Sequence, residues 1–120
     1  MAVRIQTIPG GDNGIVKRIT LSAAGDSVKY KLRGVVDFLN RGIVFHVRPN
    51  IADSTRLAVN FSVDPQGSGL QAHDGSPYTE HDVIHQITPF QSVQLVANGG
   101  SAEVDVLLPF RQEVDLIELP

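Results

Sequence analysis

Three of the chain's four histidines crowd into QAHDGSPYTEHDVIHQ, residues 71–86, where His73, His81 and His85 alternate with Asp74, Glu80 and Asp82. Imidazole and carboxylate are the ligands of zinc, iron and manganese, so the composition of this stretch raises a metal site at once. Spacing decides against it. On a helix His81 and His85 would share a face at i and i+4, and Thr79 with Asp82 resembles a helix start. Val83, Ile84 and Ile87 are β-branched, however, and Pro89 follows closely. As a strand the segment holds His81 and His85 about 13 Å apart, too far for one ion. The paired His-x-His of cupin-type barrels is also missing. No metal and no other cofactor is therefore expected, and the stretch reads as a loop running into a strand.

Other chemistry fares no better. Gly67-Ser68-Gly69 and Gly75-Ser76-Pro77 place serines beside glycine, but neither is the strand–Ser–helix elbow that exposes an activated hydroxyl. Glu103 with Asp105, or Asp74 with Asp82, are carboxylate pairs of the kind glycosidases use. On alternating strands such pairs face solvent. The glycines of PGGDNG (residues 9–14) lack the Gly-Lys-Ser/Thr of a phosphate loop. With no cysteine in the chain, a thiolate zinc site, a disulfide framework and a cysteine nucleophile are excluded. The expectation is a protein that is not an enzyme.

The elements that would position these groups are strands. RLAVNFSV alternates Leu57, Val59, Phe61 and Val63 against Ala58, Asn60 and Ser62. Val28, Tyr30 and Leu32 oppose Lys29 and Lys31; Ile43, Phe45 and Val47 oppose Val44 and His46; Ala102, Val104, Val106 and Leu108 oppose Glu103 and Asp105. Period two with one apolar face marks half-buried antiparallel strands. Val93 and Leu95 add another, and Val3–Ile8, Ile15–Leu21, Val83–Ile87 and Glu113–Leu119 are further candidates. Asn98-Gly99 predicts a tight hairpin between Val93 and Leu108. Gly34–Gly42 fits a helical turn or a strand, and Asn50–Arg56 a short turn. The predicted fold is all-β: a single antiparallel β-sandwich or small β-barrel of about eight strands with little helix. Residues 1–14 form an N-terminal strand or arm and residues 15–120 the sandwich, one domain overall. The segment between Val63 and Val83 reads as an extended loop, rich in glycine and proline, of the sort that makes contacts.

A net charge of −3 over 120 residues gives no phosphate-binding surface. Lys17, Arg18, Lys29, Lys31, Arg33 and Arg41 make the first half basic, while Glu103, Asp105, Glu113, Asp115 and Glu118 make the end acidic. Few aromatics interleave with the cations, so nucleic acid is not an expected partner. Basic and acidic regions suit head-to-tail assembly or a partner of mixed charge, and a homo-oligomer is possible. The terminal RQEVDLIELP, apolar on two sides, reads as a central or covered strand and a subunit contact. No run is long enough for a signal peptide or a membrane span, so neither membrane nor export is expected.

The glycine-rich arm at Pro9–Gly14, the alternation from Val28 to Leu108 and the long polar loop from Asp64 to Asp82 together resemble the accessory proteins of tailed-bacteriophage virions, capsid decoration (cement) proteins above all. The resemblance spans most of the chain and is architectural. It implies a viral structural protein on the outside of the head, assembled in the host cytoplasm, that bridges and reinforces major capsid subunits. Candidate partner contacts are Arg4, Pro9 and Asn13 in the arm, with Tyr78 and His81 in the long loop. Three alternatives stand beside it: another virion component of tail, baseplate or connector; a carbohydrate- or ligand-binding sandwich, with Tyr78 and Phe90 as its platform; and a cupin-like or hydrolytic enzyme.

Overall fold

A computed structural model describes residues 3–8, 14–40, 42–109 and 114–120. Ten strands follow one another: β1 (Val3–Ile8), β2 (Gly14–Leu21), β3 (Ser27–Arg33), β4 (Ile43–Pro49), β5 (Arg56–Ser62), β6 (Gln71–Ala72), β7 (Asp82–Gln86), β8 (Ser92–Asn98), β9 (Ala102–Pro109) and β10 (Asp115–Glu118). A 3-10 turn at Ile51–Asp53 is the described helical element, where a short turn is predicted.

The strands form two five-stranded antiparallel sheets, ordered β1-β2-β9-β4-β7 and β10-β3-β8-β5-β6. The protein is an antiparallel β-sandwich. From β2 onward the chain alternates between sheets, except at the β5–β6 hairpin. With β1 and β10 set aside, the orders β2-β9-β4-β7 and β3-β8-β5-β6 are those of a double-Greek-key jelly roll.

The core is assembled from the alternation seen in the sequence. Ile43, Phe45, Val47, Val104, Val106 and Leu108 of the first sheet are fully buried against Leu57, Val59 and Leu95 of the second. Phe45, Phe61 and Phe90 pack as a tilted cluster with ring centroids 4.7–6.1 Å apart. The Tyr30 hydroxyl is buried without a hydrogen-bond partner among the described residues. Burial, helped by the charge of Glu118, pushes its pKa up to about 12.

Several expectations need correction. Asn98-Gly99 closes no hairpin: β8 lies in the second sheet and β9 in the first. The turn crosses the sandwich, with Gly99 at φ 89°. Val63 is not an inward strand residue. β5 stops at Ser62, whose hydroxyl donates to the Ser68 carbonyl, and Val63 is 80% exposed. Gly34–Gly42 is neither helix nor strand in its described part. The terminal strand β10 is an edge strand, with Val114 and Leu116 turned into the core.

Part of the charge asymmetry of the sequence is met inside the chain. Arg18 on β2 holds Asp105 on β9 at 2.9 Å and 3.2 Å. Across the margin of the sandwich Lys17 reaches Asp115 at 3.4 Å, and Arg33, paired with Asp115 in the second sheet, reaches it at 3.5 Å.

Candidate interaction surface

Which loops share an end of the sandwich follows from register. Ser62 and Lys31 both pair with Ser92, and Ile43 pairs with Gln86. The β3–β4, β5–β6 and β7–β8 connections therefore emerge together. This end carries Val35, Leu39, Val63 and Ile87, which are 82%, 92%, 80% and 58% exposed. Four large aliphatic side chains in water at one end are a feature to explain, because a soluble domain normally scatters them. Full burial of each would be worth about 1.5–3 kcal/mol.

Local packing holds them out. Phe38, 9% exposed, inserts into the aromatic cluster edge-on to Phe90, with centroids 5.4 Å apart. The chain on either side is then forced outward. The Asp37 carboxylate accepts from the Asn40 backbone N–H at 3.3 Å and its side-chain amide at 2.7 Å, and the Gly42 N–H donates to the Asp37 carbonyl. This small staple fixes a turn with Leu39 at its tip. Between this turn and the β7–β8 loop lies a cleft of about 400 Å³, lined by Leu32, Val36, Phe38, Leu39, Pro89 and Phe90 among others. The neighbouring loop is ordered by Asp64. Its carboxylate accepts from the Ser68 hydroxyl and from the Gln66 and Ser68 N–H groups, which hold it below the ordinary carboxylate range.

A second surface is the outer face of the first sheet. Arg48 pairs with Glu103 and with Asp105 at 3.0 Å, and Arg18 grips Asp105 from the other side. Burial alone would raise the Asp105 carboxyl; hydrogen bonds from both arginines, and their charges, hold it below the usual range instead. The same pairing raises the pKa of Arg18. This network is charge-balanced and internally satisfied, so its first role is to tie β2, β9 and β4 together.

The predicted contact residues separate. Arg4 is exposed on β1, opposite Thr20. His81 is exposed at the far margin of the same sheet, its ring 6.5 Å from that of His46. Thr20 and His81 both line an open depression of about 480 Å³ with Arg48, Asn50 and Glu103. Pro9 and Asn13 lie outside the described residues. Tyr78, expected in an exposed loop, is instead 6% exposed and anchors that loop. Its hydroxyl donates to the Asp74 carbonyl at 2.9 Å and sits 2.8 Å from His73 Nδ1, while its backbone pairs with Leu57. Phe90, 2% exposed, is core as well. The platform that a carbohydrate-binding reading needs is thus built of buried rings.

The histidines do not converge. His73 packs on Phe61 and Tyr78, His46 and His81 share the outer face, and His85 follows on β7. Among the described residues no group of three or more histidine and acidic side chains is placed to hold a metal ion. What the sequence reading missed is the apolar end. Its signal was the run GVVDFL, apolar without a period of 2 or 3.6 and bracketed by Gly34 and Gly42.

No family model, curated protein or solved structure matches the chain.

Proposed function

We propose that the protein is a non-enzymatic virion structural protein, a decoration protein that binds the outside of an assembled head and bridges its major capsid subunits. The observation that carries this reading is the apolar end, where Val35, Leu39, Val63 and Ile87 stand exposed on loops pinned by Phe38 and Asp64. A surface built this way binds another protein with little reorganisation, since its exposed groups are already held in place. The jelly-roll strand order adds support by fold analogy, because viral coat domains recur on it. Binding the assembled shell and not the free subunits would stabilise the shell by mass action.

The test is to mix the purified protein with heads that lack an outer layer, then follow co-sedimentation and the temperature at which the heads disrupt. Saturable binding with a higher disruption temperature is the expected result. If the heads show no saturable binding and no rise in disruption temperature, the decoration role is excluded.

A further inference from the structure

A sheet edge is a row of unpaired N–H and C=O groups, and proteins protect it with short strands, charges, prolines or bulges. The four edges of this sandwich differ in protection. β6 has two residues and β10 has four. β7 has five, opening on Asp82 and carrying His85. β1 is the longest at six, VRIQTI, with four β-branched residues, one charge and no proline. Its register with β2 runs from Val3↔Leu21 to Ile8↔Val16 without a bulge. Among the described residues nothing pairs with its other side.

The inward column of this strand is also incompletely covered. Ile5 pairs with Ile19 and so shares its face, yet Ile19 is fully buried while Ile5 is 37% exposed. The second sheet covers β2 and leaves the flank of β1 open.

We infer that β1 is the seam of a two-fold dimer, in which β1 of a second copy pairs with it antiparallel and joins the two five-stranded sheets into one of ten. The occupant is argued from self-complementarity, which a two-fold interface demands. Residues directly opposite in an antiparallel pair share a face. With the axis at Ile5, the isoleucine meets its own copy, Val3 meets Thr7 and Arg4 meets Gln6. Each inward residue then meets an inward one, and no two like charges stand opposite each other. Centring the axis on Gln6 instead sets Arg4 against Ile8, and centring it between Ile5 and Gln6 mixes the faces. The Ile5 register is the one the side chains fit.

Light scattering on the eluting 120-residue chain, over a wide range of concentrations, gives the first reading: twice the 13.0 kDa chain mass is expected. Ile5→Lys puts two ammonium groups on the axis and should weaken the dimer roughly tenfold or more. Because Ile5 is already 37% exposed in the single chain, the variant should still unfold cooperatively as a folded monomer, its transition falling below the parent's only by the concentration-dependent contribution of dimerisation. Cysteine placement then reads the register, since the chain has no thiol of its own. Opposed Cα atoms about 4.5–5.5 Å apart lie within disulfide range. Ile5→Cys should therefore oxidise to a covalent dimer. Thr7→Cys should not, because the two copies of that position would be four residues out of step, about 13 Å. A monomer at every concentration, a dimer untouched by Ile5→Lys, or equal cross-linking at both positions overturns the proposal.

Discussion

The two ends of the sandwich are held together by different means. At one end, the β4–β5 and β8–β9 turns are laced by short polar groups. Asn50 caps the 3-10 turn through the Ala52 N–H and donates to Asp53 and Ser101, while the buried Thr55 hydroxyl donates to the Ser101 carbonyl. At the other end, Phe38 pins one loop into the core and Asp64 folds the next, leaving Val35, Leu39, Val63 and Ile87 in water. The polar end satisfies its polar groups internally, with Ile51 its exposed aliphatic at 60%; the apolar end carries four exposed aliphatics, held out by their own loops.

The polar end should tolerate least. At Gly100 a Cβ would run into Asp53 Cβ and Thr55 Oγ1, and Thr55 is fully buried with little room to yield. Gly100→Val should cost about 3 kcal/mol, read from the denaturant midpoint at unchanged slope. A normal midpoint would mean that this end is looser than its hydrogen bonds indicate.

The chain's two tyrosines sharpen the contrast between closed and open accounts of polar groups. Tyr78→Phe removes the hydroxyl that contacts Asp74 and His73 and should cost about 1 kcal/mol. Tyr30→Phe deletes a buried hydroxyl without a described partner and should be neutral or stabilising. Equal losses in chemical denaturation would contradict this distinction.

Acid should separate the ends. The Asp64 carboxyl has a folded pKa below its unfolded one, so the stability it contributes is present above the unfolded value and lost as pH falls through the folded value. The Ala52 N–H at the other end donates to the side-chain amide of Asn50, which does not titrate. Hydrogen exchange at the Gln66 and Ser68 amides should therefore accelerate, relative to Ala52, on acidification through the carboxylate range. Loss of protection at Ala52 first would reverse the assignment.

Much of this architecture was legible because one-sided burial writes itself into sequence as period two. Val28 and Tyr30, Ile43 to Val47, and Ala102 to Leu108 face as the alternation says. Alternation names a face, however, and never a neighbour. Asn98-Gly99 can turn a hairpin or pass between sheets, and only packing of the whole core selects the second. The candidate site was less legible for a related reason. Tyr78 looks like a loop residue ready for a partner, yet its burial depends on His73, Asp74 and Leu57, which the loop brings together only after folding.

The smallest expected effect on the isolated protein is the one that bears most on its role. Leu39 is 92% exposed and Asp37 fixes its turn without using the Leu39 side chain. Leu39→Lys should therefore leave stability within about 0.5 kcal/mol of the parent. Burying the new ammonium in an apolar contact is costly, so under the proposed decoration role the same variant should bind heads more weakly. Phe38→Ala differs: it takes away the anchor and should lower stability by about 3 kcal/mol, whatever it does to binding. If Leu39→Lys unfolded the protein, the apolar end would be structural and the contrast between the ends would disappear. If it bound heads as well as the parent, the contrast would stand but would no longer mark the contact surface, and the charged outer face with Arg4 and His81 would become the surface to test.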